Sequence, residues 1–321
     1  MENIGAAARA LALLGWLGRH GTRAVAISLL VGIALPPLAA WCRPLFVPSL
    51  FLLMCLAFLR VDPREVRARI ARPGLAIVAT VWVMLIVPAL AGAALLFTGV
   101  HERAPGLHAA LLFQVAAPPL ISSAALAALM GTDAALSLVT LVISTTITPL
   151  TATFFATLFI GPSLPITPGA LGFKLIAMLA GAALVAALVR RLAGDEAIAR
   201  QAARIDGTNV ILLFIFVVAL MDGVAANAIA DPKLVLGLTA LAFALSFGLT
   251  AVTTLLFART GLPSALALGF GAGSRNMGLL FAAAAGALPD LAWLYLALAQ
   301  IPIYLMPHMI KQITARFGGS G

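Results

Sequence analysis

The chain has 321 residues, 63% of them hydrophobic and 10% charged, with a mean hydropathy of +1.12. Ordinary soluble domains carry about 25% charged residues, so this chain lacks the polar surface to fold in water and takes a lipid bilayer as its solvent. Its net charge of +9 is scattered through short loops rather than gathered on one face, which argues against nucleic-acid binding.

Residues 4–18 are apolar but interrupted by Arg9, and no small-residue cleavage site follows. They read as an interfacial helix rather than a signal peptide. A spanning helix needs about 20 apolar residues. Runs bounded by charge, Gly or Pro predict spans near 22–42, 44–60, 73–98, 107–130 and 133–160, then 168–191, 207–229, 232–259, 263–286 and 290–312. Cys42 and Cys55, at the end of the first run and inside the second, read as small apolar residues.

The fourth span contains Gln114, Pro118-Pro119 and Ser122-Ser123. Two adjacent prolines remove two backbone donors and predict a break near the middle of this helix. Broken backbone at membrane depth is tolerated where it is buried in protein or lines a cavity. The alternative is a simple kink with the serines bonded back to the helix. The ninth span holds Gly269, Gly271, Gly273, Ser274, Arg275, Asn276 and Gly278. An arginine at the centre of a span costs at least ~2.5–3.5 kcal/mol and marks a functional position. The competing reading is a structural arginine satisfied by carbonyls of a neighbouring broken helix. Asp222, in the outer part of the seventh span, is the one intramembrane carboxylate that could meet it. Asn276, Gln300, Ser144, Thr145 and Thr146 could complete a polar pocket, although each type commonly makes interhelical hydrogen bonds instead.

With the N-terminus placed in the cytoplasm, fifteen of the twenty Lys and Arg residues fall on the inner side. Arg43, Arg103 and Lys233 fall outside, and Lys174 and Arg275 lie within spans. That bias satisfies the positive-inside rule and supports ten crossings with both termini cytoplasmic. Five crossings per half make residues 1–160 and 161–321 two repeats of opposite orientation, a common plan for transporters.

Four features together resemble the bile acid:sodium symporters and their bacterial relatives: FLLMCLAFLRVDPREVRARIARPG (51–74), APPLISSAALAALMGTDAALSLVTLVISTTITPL (117–150), GSRNMGLLFAAAA (273–285) and the ten-helix layout. The resemblance covers nearly the whole chain in order. It implies an all-α membrane fold, with a panel of helices 1, 2, 6 and 7 beside a core of 3, 4, 5, 8, 9 and 10. Helices 4 and 9 would be unwound where they cross. It further implies a bacterial inner-membrane carrier working by alternating access. Arg275, with half-helix N-termini facing the crossing and an apolar panel, favours a small organic anion as substrate. The substrate would be held near Pro118, Pro119, Ser122, Ser123, Asp222, Arg275 and Asn276.

In such symporters sodium is held by a Ser-Asn pair on helix 4, Ser and Thr on helix 5, and a Glu-x-x-x-Gln-Asn run on helix 9. The matching positions here are Ser122 and Ser123, Ser137 with Thr140 near the Thr position, and Gly271, Arg275 and Asn276, with Gln300 nearby. The carboxylate is missing, and a fixed cation stands beside the retained Asn. A guanidinium and a sodium ion about 4 Å apart repel by about 4 kcal/mol at an effective dielectric constant of ~20. The expectation is therefore sodium-independent transport with Arg275 in place of the ion, and no cofactor. Alternatives are a sodium-coupled symporter and an exporter similar to auxin carriers. The fourth span lacks the Cys used by arsenite exporters. An intramembrane enzyme is disfavoured because His20, His101, His108 and His308 are scattered and no HExxH or Gly-x-Ser-x-Gly occurs. No ring-forming acidic motif points to a channel.

Overall fold

The computed structural model describes residues 21–60, 74–161 and 164–317. The expected interfacial helix at 4–18 and the basic loop at 61–73 lie outside them. Among the described residues the chain is helical, with no β structure beyond one isolated bridge. The order begins α1 (Gly21–Ala34), α2 (Pro36–Cys42), α3 (Phe46–Arg60), α4 (Gly74–Phe97) and α5 (Val100–Arg103). It continues with α6 (Pro105–Ala116), α7 (Ser123–Leu129), α8 (Ala134–Phe159), α9 (Pro168–Ala193) and α10 (Asp195–Arg200). Then come α11 (Ala202–Leu220), α12 (Val224–Ala230), α13 (Pro232–Leu256), α14 (Leu262–Gly273), α15 (Met277–Ala283) and α16 (Asp290–Phe317).

Among the described residues, seven stretches are long and apolar enough to cross a bilayer: Pro36–Arg60, Gly74–Phe97, Ala134–Phe159, Pro168–Ala193, Ala202–Ala230, Pro232–Leu256 and Asp290–Arg316. Large apolar side chains stand outward, with Phe97 92% and Leu192 78% exposed. The chain is a multi-pass helical membrane protein. The other three expected spans occur as shorter pieces. Two of them are the α6–α7 and α14–α15 pairs, each interrupted in the middle. The third differs from expectation: α1 stops at Ala34, and the helix resumes at Pro36 and continues through a tight turn at Arg43–Leu45 into α3. Leu35 precedes two prolines and is forced out of helical geometry, so the interruption falls there rather than at Arg43.

Contacts divide the chain into two compact units, each drawing on both halves of the sequence. The first comprises Met1–Val61 and Met178–Ala230. Within it α11 packs on α1, α2 and α3, with Phe46 stacked on Phe216 at 5.3 Å. Arg190 donates to the Leu59 carbonyl at 2.7 Å, and Arg60 donates to the Ala202 carbonyl while pairing with Asp206.

The second unit comprises Asp62–Ala177 and Asp231–Gly321. Two of its long helices, α8 and α13, start on carboxylate caps: Asp133 accepts from the Leu136 N–H, and Asp231 from the Leu234 N–H. Its most extensively packed helix pair is α13 with α14. Gly269 and Gly273, one turn apart, lie against Ser246, Thr250 and Thr254, which recur at the same four-residue spacing. Small residues at that spacing let two membrane helices approach backbone to backbone.

Candidate functional site

The two interrupted helices of the second unit cross where each is unwound. Helix α6 ends at Ala116 because Ala117 precedes Pro118 and takes extended geometry. Helix α14 ends at Gly273, with Ser274 extended. No proline interrupts α14; its glycine-rich end holds the helix weakly. The unwound segments meet as a short antiparallel bridge between Pro119 and Arg275. The Leu120 N–H donates to Ser274 O, and the Asn276 N–H to Pro118 O, each at 2.9 Å.

Arg275 lies at this crossing and is 1% exposed. Its Nε donates to Ala272 O at 2.7 Å, Nη1 to Ala117 O at 2.8 Å and Nη2 to Val83 O at 3.0 Å. Nη1 also lies 3.9 Å from the Met84 sulfur. The acceptors come from three separate chain segments, and the loss of a helical donor can be traced for each. Ala272 O would ordinarily receive the Asn276 N–H, which is spent on Pro118 O. Ala117 O lies past the end of α6, where extended backbone takes it out of the helical ladder. Val83 O lies in a π-helical turn of α4, Trp82–Ile86. There the Val87 N–H reaches back to Trp82 O, and the residue after it, Pro88, has no N–H. The guanidinium answers all three carbonyls. The ends of α6 and α14 nearest it are C-termini, which carry partial negative charge that a cation compensates.

Among the described residues no carboxylate pairs with Arg275. Asp222, the one candidate for a partner, belongs to the first unit and takes a hydrogen bond from Arg43 Nη1 at 2.9 Å. Asp222 sits in the turn between α11 and α12, and Arg43 in the turn between α2 and α3. The two side chains are 19% and 58% exposed, so the pair is worth about 0–1 kcal/mol. Asp222→Asn should accordingly shift the melting temperature by no more than a few degrees in a thermal denaturation series.

The remaining expected residues divide. Ser137, Thr140 and Gly271 line one small cavity with Val83, Pro119, Ala267 and Leu268. Its volume is about 10 Å³, near the minimum for a single water. Thr140 Oγ1, Ser123 Oγ and Asn276 Nδ2 are buried without hydrogen-bond partners. Ser122 is exposed, and Gln300 donates to Leu296 O one turn back in its own helix. In α8, Ser144 and Thr145 are buried without side-chain partners, whereas Thr146 is exposed and donates to Val142 O. Gln114 lies in a buried chain: Tyr295 OH donates to its Oε1, and its Nε2 donates to Ser246 Oγ at 3.2 Å.

The cavity offers two hydroxyls and no carboxylate, and the Val83 carbonyl at its edge is held by Arg275. No three His, Cys, Asp or Glu side chains among the described residues are grouped to hold a metal ion. Sequence reasoning missed Val83, Met84, Tyr295 and Ser246. Pro88 inside an apolar run was the one available signal for a freed carbonyl a turn earlier.

Neither the protein-family models nor the curated proteins include a match to this chain.

Proposed function

We propose that this protein is a secondary transporter that moves a small organic anion by alternating access without sodium, Arg275 serving as a tethered cation. The observation that carries the reading is the guanidinium bonded to three main-chain carbonyls, two at helix ends and one in a π turn, where two interrupted membrane helices cross. A fixed positive charge then does the electrostatic work that a bound ion does in the symporters the sequence resembles. Arg275 holds the crossing together and lends it positive potential, rather than contacting the substrate in this conformation.

The division into units supports the same plan. The first unit contains the helices that the resemblance assigns to the panel, apart from the first part of the sixth span. Ten crossings, two inverted five-helix repeats, cytoplasmic termini and a bacterial inner-membrane location complete the proposal. The intact protein would be tested in proteoliposomes by counterflow of labelled amphipathic carboxylates and sulfonates. Exchange of one of them against its unlabelled form, equal in sodium and potassium, is the expected result. A carrier exchanges in this way and a passive pore does not. Failure of every anion in the panel would remove the organic-anion assignment.

A second reading, retained sodium coupling, draws on the unpartnered Ser123 and Thr140 hydroxyls. Thermal denaturation in sodium and in potassium at matched ionic strength separates the two. The tethered-cation reading expects coincident melts. A ligand at 100 times its dissociation constant stabilises by about 2.7 kcal/mol, so a sodium-specific rise of that order would favour the symporter instead.

A further inference from the structure

The connection from α4 to α6 brings together two histidines that the crossing does not use. His101, on α5, and His108, in the first turns of α6, have ring centroids 5.9 Å apart with planes at 60°. His108 is 2% exposed, and its Nε2 lies 2.9 Å from the carbonyl of Phe159 at the end of α8. A carbonyl only accepts, so Nε2 carries the proton and Nδ1 presents a lone pair. That Nδ1 is buried with no partner. At His101 the exposed Glu102 carboxylate lies 3.7 Å from Nε2, beyond hydrogen-bond reach, and Nδ1 is again buried and unpartnered.

Metal-ligating histidines characteristically give their other N–H to a carbonyl or carboxylate, which fixes the tautomer and turns the lone pair toward the ion. The ring separation fits this use. With Zn–N bonds of about 2.0–2.1 Å, two imidazoles sharing one ion have centroids at most about 6.4 Å apart, and about 5.2 Å at a tetrahedral angle. We infer that His101 and His108 form a two-histidine site for a borderline transition-metal dication, zinc being the type case, with both Nδ1 atoms as ligands. Imidazole pairs select such ions over magnesium and calcium. Among the described residues no third protein ligand is grouped with them, so water completes the coordination, entering along the His101 side chain, which is 38% exposed. A bound ion would fasten α5 to α6 and, through His108, to the end of α8. This inference is independent of the transport reading.

The test is zinc binding by full-length protein purified without a polyhistidine tag. In calorimetry, zinc should bind at one ion per chain. In thermal denaturation, zinc but not magnesium should raise the melting temperature, and chelator should reverse the rise. His101→Ala, at the more exposed ligand, should keep the fold and lose both effects, whereas His308→Ala should retain both. Absence of a zinc effect in the natural protein would overturn the inference, as would binding that survives His101→Ala. His108→Gln should reproduce the loss, and its melt without metal shows whether that variant is folded.

Discussion

Arg275→Met should lower the stability of the purified protein by about 3–5 kcal/mol, because three buried carbonyls lose their donor together. The reason lies in what remains. Without the guanidinium, the carbonyls of Ala272, Ala117 and Val83 are left with no donor at the crossing. Each buried acceptor left unsatisfied costs about 1–3 kcal/mol, offset in part because a buried charge no longer has to be desolvated. In a membrane the expected loss falls toward the lower end, since the unfolded state also finds polar partners. Arg275→Lys should recover only part of it. An ammonium is a compact donor without the planar fork that spans three acceptors. Denaturation of both variants in one detergent gives the comparison. A methionine variant that melts with the natural protein would show that the carbonyls are satisfied by water and that the cage is not structural.

The second large effect belongs to the glycines of α14. At Gly273 an added methyl falls inside 3.0 Å of both Thr250 Oγ1 and the Ser246 carbonyl, and at Gly269 it falls 2.7 Å from the Thr250 carbonyl. Backbone atoms of a packed helix cannot give way as a side-chain tip can. Gly273→Ala and Gly269→Ala should therefore each cost about 1–3 kcal/mol or more, the overpacking range. Gly271→Ala is the control. Its methyl meets only Pro119, at 3.7 Å, and it removes the backbone freedom that makes glycine about 0.8–1.0 kcal/mol worse than alanine in a helix. That variant should melt at or slightly above the natural protein. Equal losses at all three positions would mean that helix flexibility, rather than close approach, explains the glycines.

The contrast between these glycines shows where sequence reasoning reached its limit. Their alternation was visible, and weakening of the helix was the natural inference. Facing is the missing information: Gly269 and Gly273 lie on one side of α14 against α13, and Gly271 faces the small cavity. The interruption at Pro118-Pro119 was fully legible, because proline removes donors whatever surrounds it. Arg275 was also legible as special, since a charge amid apolar residues demands an explanation. Its partners were not, because all three hydrogen-bonded acceptors are main-chain oxygens. The π turn that frees Val83 O is a matter of backbone winding within a uniformly apolar run. Asp222 illustrates the opposite error. Scarcity of carboxylates made it the natural candidate for Arg275, yet the turn holding Arg43 supplies its partner. His101 and His108 looked scattered because helix-by-helix reading separates residues that a short break folds together.

A site whose acceptors are main-chain atoms inherits unusually. Any residue contributes a carbonyl, so Val83, Ala117 and Ala272 can drift to other side chains of similar size while the chemistry persists. Only the cation and the prolines that break or open the helices around those oxygens are fixed by type. Descendants of such a protein could diverge until little beyond one arginine and a few prolines remained in common. Recognising them would depend on asking where donors are missing rather than which side chains are present.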